Sequence, residues 1–237
     1  MVEMNYQLDA QTRQRLEAIK ELTEIPSPTG YTVEIMNHLK KRFNDKGIDF
    51  KDTSKGGLLV TLPGKDQERH RYLTAHVDTL GAMVRAIKPD GRLKIDLIGG
   101  YMYNAIEGTY CQIHSSLTGE VYTGTILMHQ ASIHVYRDAR TAERNQANME
   151  VRIDHPVFSQ EDVEKLGIKV GDFISLAPRA EITESGYLKS RHLDDKVSVA
   201  LLLEAIDAVK AGDLQLAHTT HFYISNNEEI GYGGNST

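Results

Sequence analysis

The spacing of apolar residues changes character twice along this chain of 237 residues, and that double switch restricts the folds open to it. Towards both ends, apolar residues recur at helical intervals. Leu16, Ile19 and Leu22 do so behind Asp9, a capping residue, and predict a helix over 9–23. Ile35, Leu39 and Phe43 predict a second helix over 32–46, stopped by Gly47. Val197, Ala200, Leu201, Ala205 and Val209 predict a long third one over 194–210, closed by Gly212. From about 84 to 180 the period shortens to that of strands. Leu93–Ile98, Tyr110–His114, Val121–Leu127 and Asp172–Leu176 are separated by turn signals at Lys88-Pro-Asp-Gly91, Gly99-Gly100 and Thr118-Gly119. One short helix, 159–166, starts inside this stretch with Ser159 as its cap. The expectation is an α/β fold. A phosphorylase/hydrolase-like mixed sheet with flanking helices, 1–84 plus 181–237, is interrupted by an inserted small β-rich, barrel-like domain at 85–180.

The outer part needs strands of its own. Ile48–Lys51, Leu58–Leu62, Tyr72–Ala75 and His218–Ser225 carry that texture, and Ile25-Pro-Ser-Pro-Thr-Gly30 is a rigid loop. Two of these strands run directly into charged clusters. Tyr72–Ala75 leads into His76-Val-Asp78, and His218–Ser225 leads into Asn226-Asn-Glu-Glu229. A third cluster, Asp194-Asp195-Lys196, opens the long helix.

Composition excludes several uses of such a chain. Thirty-three acids against 27 bases leave a formal charge of −6, which argues against a nucleic-acid or anionic-membrane partner. Cys111 is the single cysteine, so no intrachain disulfide forms and a reducing cytoplasm is the expected location. The start, MVEMNYQLDAQTRQRLE, lacks the apolar core of a signal peptide, and no apolar run reaches membrane-spanning length.

Each cluster has a bland reading and a chemical one. His76 with Asp78 is either a loop histidine paired with its neighbour or a metal ligand steadied by a carboxylate at a strand's carboxyl end. Asp194 is either a helix cap or a carboxylate that bridges two cations. Glu228 and Glu229 are either a solvated turn or a metal ligand beside a general base, since two adjacent buried acids repel each other without cations. Gly231, Gly233 and Gly234 then let the backbone approach a ligand closely. The three clusters lie at strand ends or a helix start on one edge of the expected sheet. The remaining histidines, among them His129, His134, His218 and His221, read as structural or surface residues.

Ala75-His-Val-Asp-Thr-Leu-Gly81, Leu166-Gly-Ile-Lys-Val-Gly-Asp172, Leu193-Asp-Asp-Lys196 and Asn227-Glu-Glu-Ile-Gly231 occur in an order that resembles the dinuclear metallo-aminopeptidases of clan MH. Within the clan the resemblance is to the glutamyl and deblocking aminopeptidases, the tetrahedral type sometimes labelled endoglucanase. It implies two divalent metal ions, zinc or cobalt first and manganese next, with His76, Asp194 and Glu229 as ligands. By the same resemblance Asp194 would bridge both ions, Glu228 would be the general base and Asp78 would support His76. The implied substrate is a short peptide, and the implied state is a homo-oligomer built from dimers, up to a dodecamer. The insert would serve assembly and access. The resemblance also requires an aspartate and a histidine after Glu229, which the ending GYGGNST does not supply, so the chain is expected to be shortened at its C-terminus.

Lys196-Val-Ser198 stands where the family usually has arginine, a small residue and glycine. Together with Gly99-Gly-Tyr-Met102 and Arg191-His192, this looks like a divergent bacterial subgroup that we associate with osmoprotectant dipeptide synthesis. Two further readings stay open. One is a carboxypeptidase or amide deacylase of the same clan, disfavoured because the insert lies between Asp78 and Asp194 rather than after the Glu-Glu pair. The other is an inactive fragment or assembly subunit, because three ligands under-coordinate two ions.

Overall fold

The computed structural model of the chain describes residues 8–231. Helix α1 (Ala10–Glu24) begins where Asp9 accepts the Thr12 amide at 2.7 Å, and helix α2 (Val33–Asp45) buries Ile35, Met36, Leu39 and Phe43. Strands β1 (Lys51–Asp52), β2 (Leu58–Leu62) and β3 (Asp66–His76) follow. Ile48 itself is buried but outside any strand, so the first expected strand shrinks to the pair Lys51–Asp52. β3, by contrast, starts six residues before the expected Tyr72, at Asp66. Its residues 67–74 are exposed, so they lack the apolar alternation that marks a strand in sequence.

Six strands then form a closed antiparallel barrel: β4 (Gly81–Ile87), β5 (Leu93–Ile98), β6 (Tyr110–His114), β7 (Val121–Met128), β8 (Met149–Ile153) and β9 (Phe173–Leu176). The order round the barrel is β4-β5-β8-β7-β6-β9. Ala82, Val84, Ile95, Ile113, Ile126, Val151 and Ile174 fill it. Gly124 is required there, because a Cβ would stand 2.8 Å from the Arg152 carbonyl oxygen. Helix α3 (Gln160–Lys165) is capped by the Ser159 hydroxyl. The Leu166–Asp172 motif turns out to be a structural turn. The fully buried Asp172 carboxylate accepts the Lys169 amide at 2.9 Å, the Ser116 amide at 3.1 Å and the Ser116 hydroxyl at 2.6 Å.

The short hairpin of β10 (Glu181–Ile182) and β11 (Leu188–Lys189) leads to helix α4 (Leu193–Ala211), closed by Gly212 at φ +84°, and to strand β12 (His218–Ser225). β12 pairs antiparallel with β2 and parallel with β3, giving a four-stranded sheet of order β1-β2-β12-β3. Leu58, Val60 and Leu62 of β2 share a core with Phe222 and Ile224 of β12, and with Leu22, Leu39, Phe43, Val199 and Ile206 from the helices. Each fully buried aliphatic side chain of this kind contributes roughly 1.5–3 kcal/mol.

The mixed sheet with its helices and the β-barrel expected from the sequence are thus both present. The chain divides into two compact units. One runs to Thr79 and resumes at Pro178, and the other is Leu80–Ala177. Among the described residues no helix is long and apolar enough to cross a membrane.

Candidate functional site

The parallel register of β3 and β12 brings two of the charged clusters to one edge of the sheet. His76, the last residue of β3, is paired with Ser225, the last of β12, and the Val77 amide continues the ladder to the Ser225 carbonyl oxygen at 3.0 Å. His76-Val-Asp78 and Asn226-Asn-Glu-Glu229 therefore leave the sheet side by side, at the carboxyl ends where open α/β sheets place ligands.

Asp78 organises this edge. It is fully buried and accepts the Glu228 amide at 3.1 Å, the Glu229 amide at 3.1 Å and the Thr29 hydroxyl at 2.7 Å. Burial alone would raise its carboxyl, but these donors and His76 outweigh burial and hold it below the usual carboxylate range. The turn carrying Glu228 and Glu229 is thus fixed from below by an ionised acid. Gly231, with φ +103°, ends that turn by donating its amide to the Glu228 carbonyl at 2.9 Å. Gly233 and Gly234 lie outside the described residues.

His76 stands at the centre. Its Nδ1 is 3.0 Å from the Asp78 carbonyl oxygen and 3.4 Å from Asp78 Oδ1, so one ring nitrogen is committed to orientation. Its Nε2 is 3.1 Å from Asp194 Oδ1 and 3.7 Å from Glu228 Oε2. Burial disfavours the imidazolium, yet Asp78 and the charge of Asp195 prevail and push its pKa up to about 9. Without another cation, the protonated imidazole is the positive charge these acids share. Glu229 is half-buried. Burial pushes its carboxyl upward, and Asp194, Asp78 and Glu228 add to that against the pull of His76.

Asp194 is not a helix cap. Its backbone (φ −80°, ψ 113°) and that of Asp195 (φ −117°, ψ 27°) are non-helical, and the bond between them is cis. Regular helix begins at Lys196, and the Asp194 carboxylate is directed to His76 instead. Asp195 accepts the His76 amide at 3.4 Å.

The structure therefore brings His76, Asp78, Asp194 and Glu228 together, with the Glu229 backbone on the same hub. A nitrogen and an oxygen donor 3.1 Å apart suit zinc, cobalt or manganese in kind. They do not suffice in number: among the described residues no group of three His, Cys, Asp or Glu side chains is placed to hold a metal ion. Sequence reasoning missed Thr29, which holds Asp78, and Ser27, whose hydroxyl donates to the Val77 carbonyl at 2.8 Å. The Pro-Ser-Pro-Thr loop was visible as a loop, but no spacing ties residue 29 to residue 78.

Comparison with known proteins gives the family of the chain. The family model described as M42 glutamyl aminopeptidase matches residues 56–237. The protein YhfE of Bacillus subtilis (strain 168) is 62% identical over 224 residues, which are 94% of this chain and 64% of YhfE. A TET aminopeptidase from a marine sediment archaeon of the Thaumarchaeota superposes with a TM-score of 0.82 at 22% identity, over 94% of this chain and 60% of that one. The TET1 peptidase of Pyrococcus horikoshii, described as assembling into a tetrahedron or a large octahedral shell, gives 0.79 at 25% identity, over 93% and 63%. The chain thus spans about six tenths of the length of these relatives. With the family model matching residues 56–237, more than half of its length, the chain belongs to the M42 glutamyl aminopeptidase family.

Proposed function

We propose that this chain carries the catalytic site of an aminopeptidase that removes the N-terminal residue of short peptides, working with two divalent metal ions, zinc or cobalt in preference to manganese. The observation that carries the reading is the convergence of Asp194 and Glu228 on His76 Nε2, above a buried Asp78 that fixes the Glu228-Glu229 turn. His76, Asp194 and Glu229 would hold the ions, with Asp194 shared between them. When bound, such ions polarise a scissile carbonyl and lower the pKa of water to near neutrality.

The chain's own residues supply the rest. Asp78 orients the imidazole through Nδ1 and leaves Nε2 to face the site. Glu228 retains solvent contact, its backbone fixed by Asp78 and its carboxylate 3.7 Å from His76 Nε2, so that carboxylate can take a proton from the attacking water and deliver it to the leaving amine. The surplus of carboxylates also suits the protonated α-amino end of a peptide. The same reading includes a homo-oligomer built from dimers, with the barrel unit serving assembly and access. It also includes a cytoplasmic setting, in keeping with a single free and buried Cys111.

The test is release of the first residue from dipeptides with a free amino end, measured with added Co2+ or Zn2+ and again after chelation. Cleavage of N-acylated but not free dipeptides would favour a deacylase. Absence of both metal uptake and cleavage would leave the chain as an assembly subunit.

A further inference from the structure

Lys196 is fully buried, and among the described residues no carboxylate pairs with its ammonium group. A charge held in this way is costly unless backbone dipoles compensate it. Two carbonyls face this one: Nζ donates to the Leu22 carbonyl at 2.8 Å and to the Ile25 carbonyl at 2.7 Å. Those oxygens lie at the C-terminal end of α1, where the helix dipole favours a cation; the Leu22 carbonyl also accepts the Ile25 amide at 3.3 Å, and the last turn of α1 holds no basic residue of its own.

The clamp does more than cap α1. From Ile25 the chain continues as Pro26-Ser27-Pro28-Thr29, whose two prolines narrow its conformations. Ser27 donates its hydroxyl to the Val77 carbonyl and accepts the Thr79 amide at 2.9 Å. The Thr29 amide reaches the Thr79 carbonyl at 3.2 Å, and its hydroxyl reaches Asp78. Residues 25–29 thus form a strap. One end is held by Lys196, directly after Asp194-Asp195, and the other by residues 77–79, directly after His76. Since regular helix starts only at Lys196, nothing in the helix itself fixes where Asp194 lies.

We propose that Lys196 is a positioning residue: through the Ile25–Thr29 strap it locks the entry to α4 onto the end of β3 and so holds Asp194 opposite His76. The juxtaposition exists without any ligand, and only its consequence for catalysis rests on the function proposed above. A lysine that merely capped α1 would leave the Asp194–His76 distance to other contacts.

The experiment follows the His76 Nε2 resonance in the full chain labelled with 15N-histidine, metal-free, assigned by comparison with His76→Asn. Asp194→Asn sets the size of the shift that accompanies loss of the contact. The expected result is that Lys196→Met stays folded by circular dichroism and shifts the resonance in the same direction, by at least half as much. Lys196→Arg, which keeps charge and donors, should restore the wild-type position. Ser27→Ala together with Thr29→Val, which removes both side-chain bonds of the strap without touching the buried charge, should also move the resonance, and the pair decides the matter if Lys196→Met does not fold. A resonance unmoved in Lys196→Met or, failing that variant, in the Ser27→Ala, Thr29→Val double variant overturns the proposal, as does one that Asp194→Asn fails to move. In a parallel Co2+ titration followed by absorbance, Lys196→Met should bind roughly tenfold to hundredfold more weakly, the range for loss of outer support to a ligand. A wild-type chain that takes up no Co2+ would sink the proposed function while leaving the resonance to judge the strap.

Discussion

The two compact units bury the same kinds of polar residue to similar depth and use them in opposite ways. In the barrel unit, His114 is 5% exposed with Nε2 2.8 Å from the Ser175 hydroxyl, and burial pushes its imidazole down to about 4. Glu150, fully buried, lies between Lys88 Nζ at 2.7 Å and the Arg92 guanidinium, and Asp172 is satisfied by three donors of its own unit. In the other unit, His76 is 7% exposed, yet its pKa rises to about 9, because Asp78 and the neighbouring acids surround it. Buried acids that meet their own cations or amides are part of the scaffold. Acids that crowd one imidazole while keeping contact with solvent have charge left over, and that excess distinguishes a site from a core.

The sharpest way to break this contrast is to neutralise one acid on each side of it. Glu228→Gln should cut turnover of free-amino dipeptides by roughly 10²–10⁴-fold, the range for a general base, with unchanged circular dichroism. Equal turnover in Glu228→Gln and the parent chain would remove Glu228 from the chemistry. Glu150→Gln should do the reverse. Removing a buried partner of two cations destabilises by about 3–5 kcal/mol when the cations are buried as well. Lys88 and Arg92 keep some solvent contact, so a loss of about 2–3 kcal/mol in urea unfolding is expected, with turnover retained. A Glu150 variant with full stability and lost activity would invert the assignment of the two units.

How much of this was legible in the sequence follows the same division. Periodicity and apolar runs report burial, so Leu58–Leu62 and Leu93–Ile98, with one apolar face, and His218–Ser225, buried on both, emerged with the bounds the structure gives them. β3 was cut short because Gln67–Thr74 are exposed on both faces and carry no alternation. His76, Asp194 and Glu228 stood out in the sequence as charged residues at strand ends and a helix start, and the structure brings their side chains together. Asp194 misled in one respect: acids at a helix start usually cap it, whereas here the backbone turns away from helix and turns the carboxylate to His76. Thr29 and Ser27 were illegible as neighbours of the site, and Lys196, though part of a visible cluster, was illegible as a partner of the α1 end. Their hydrogen bonds join residues that only the fold makes neighbours, as between Thr29 and Asp78 or Lys196 and Leu22.

The smallest effect, and the finest probe of the contrast, is the pH dependence of stability in the metal-free chain. His76 has a folded pKa of about 9, above the ordinary 6.5, so the folded state holds its proton longer than the unfolded one. Its contribution is fully present below about pH 6.5 and is lost as pH rises through 9. His114 has a folded pKa of about 4, so here the unfolded state takes up the proton first. Its contribution is present above pH 6.5 and is lost as pH falls towards 4. Lys196, pushed by burial down to about 7, opposes the alkaline loss, because above that pH the unfolded chain keeps a proton that the folded one has released. Each histidine must therefore be read as a difference between the parent and a variant, not from the parent curve alone. His76→Asn should narrow the stability gap to the parent between pH 6.5 and 9, and His114→Gln should do so between pH 6.5 and 4, each by about 1–2 kcal/mol in urea unfolding. Parent and variant curves that run parallel through either window would mean that the corresponding imidazole does not feel the surroundings described for it. Parallel curves for His76 alone would dissolve the difference between site and scaffold.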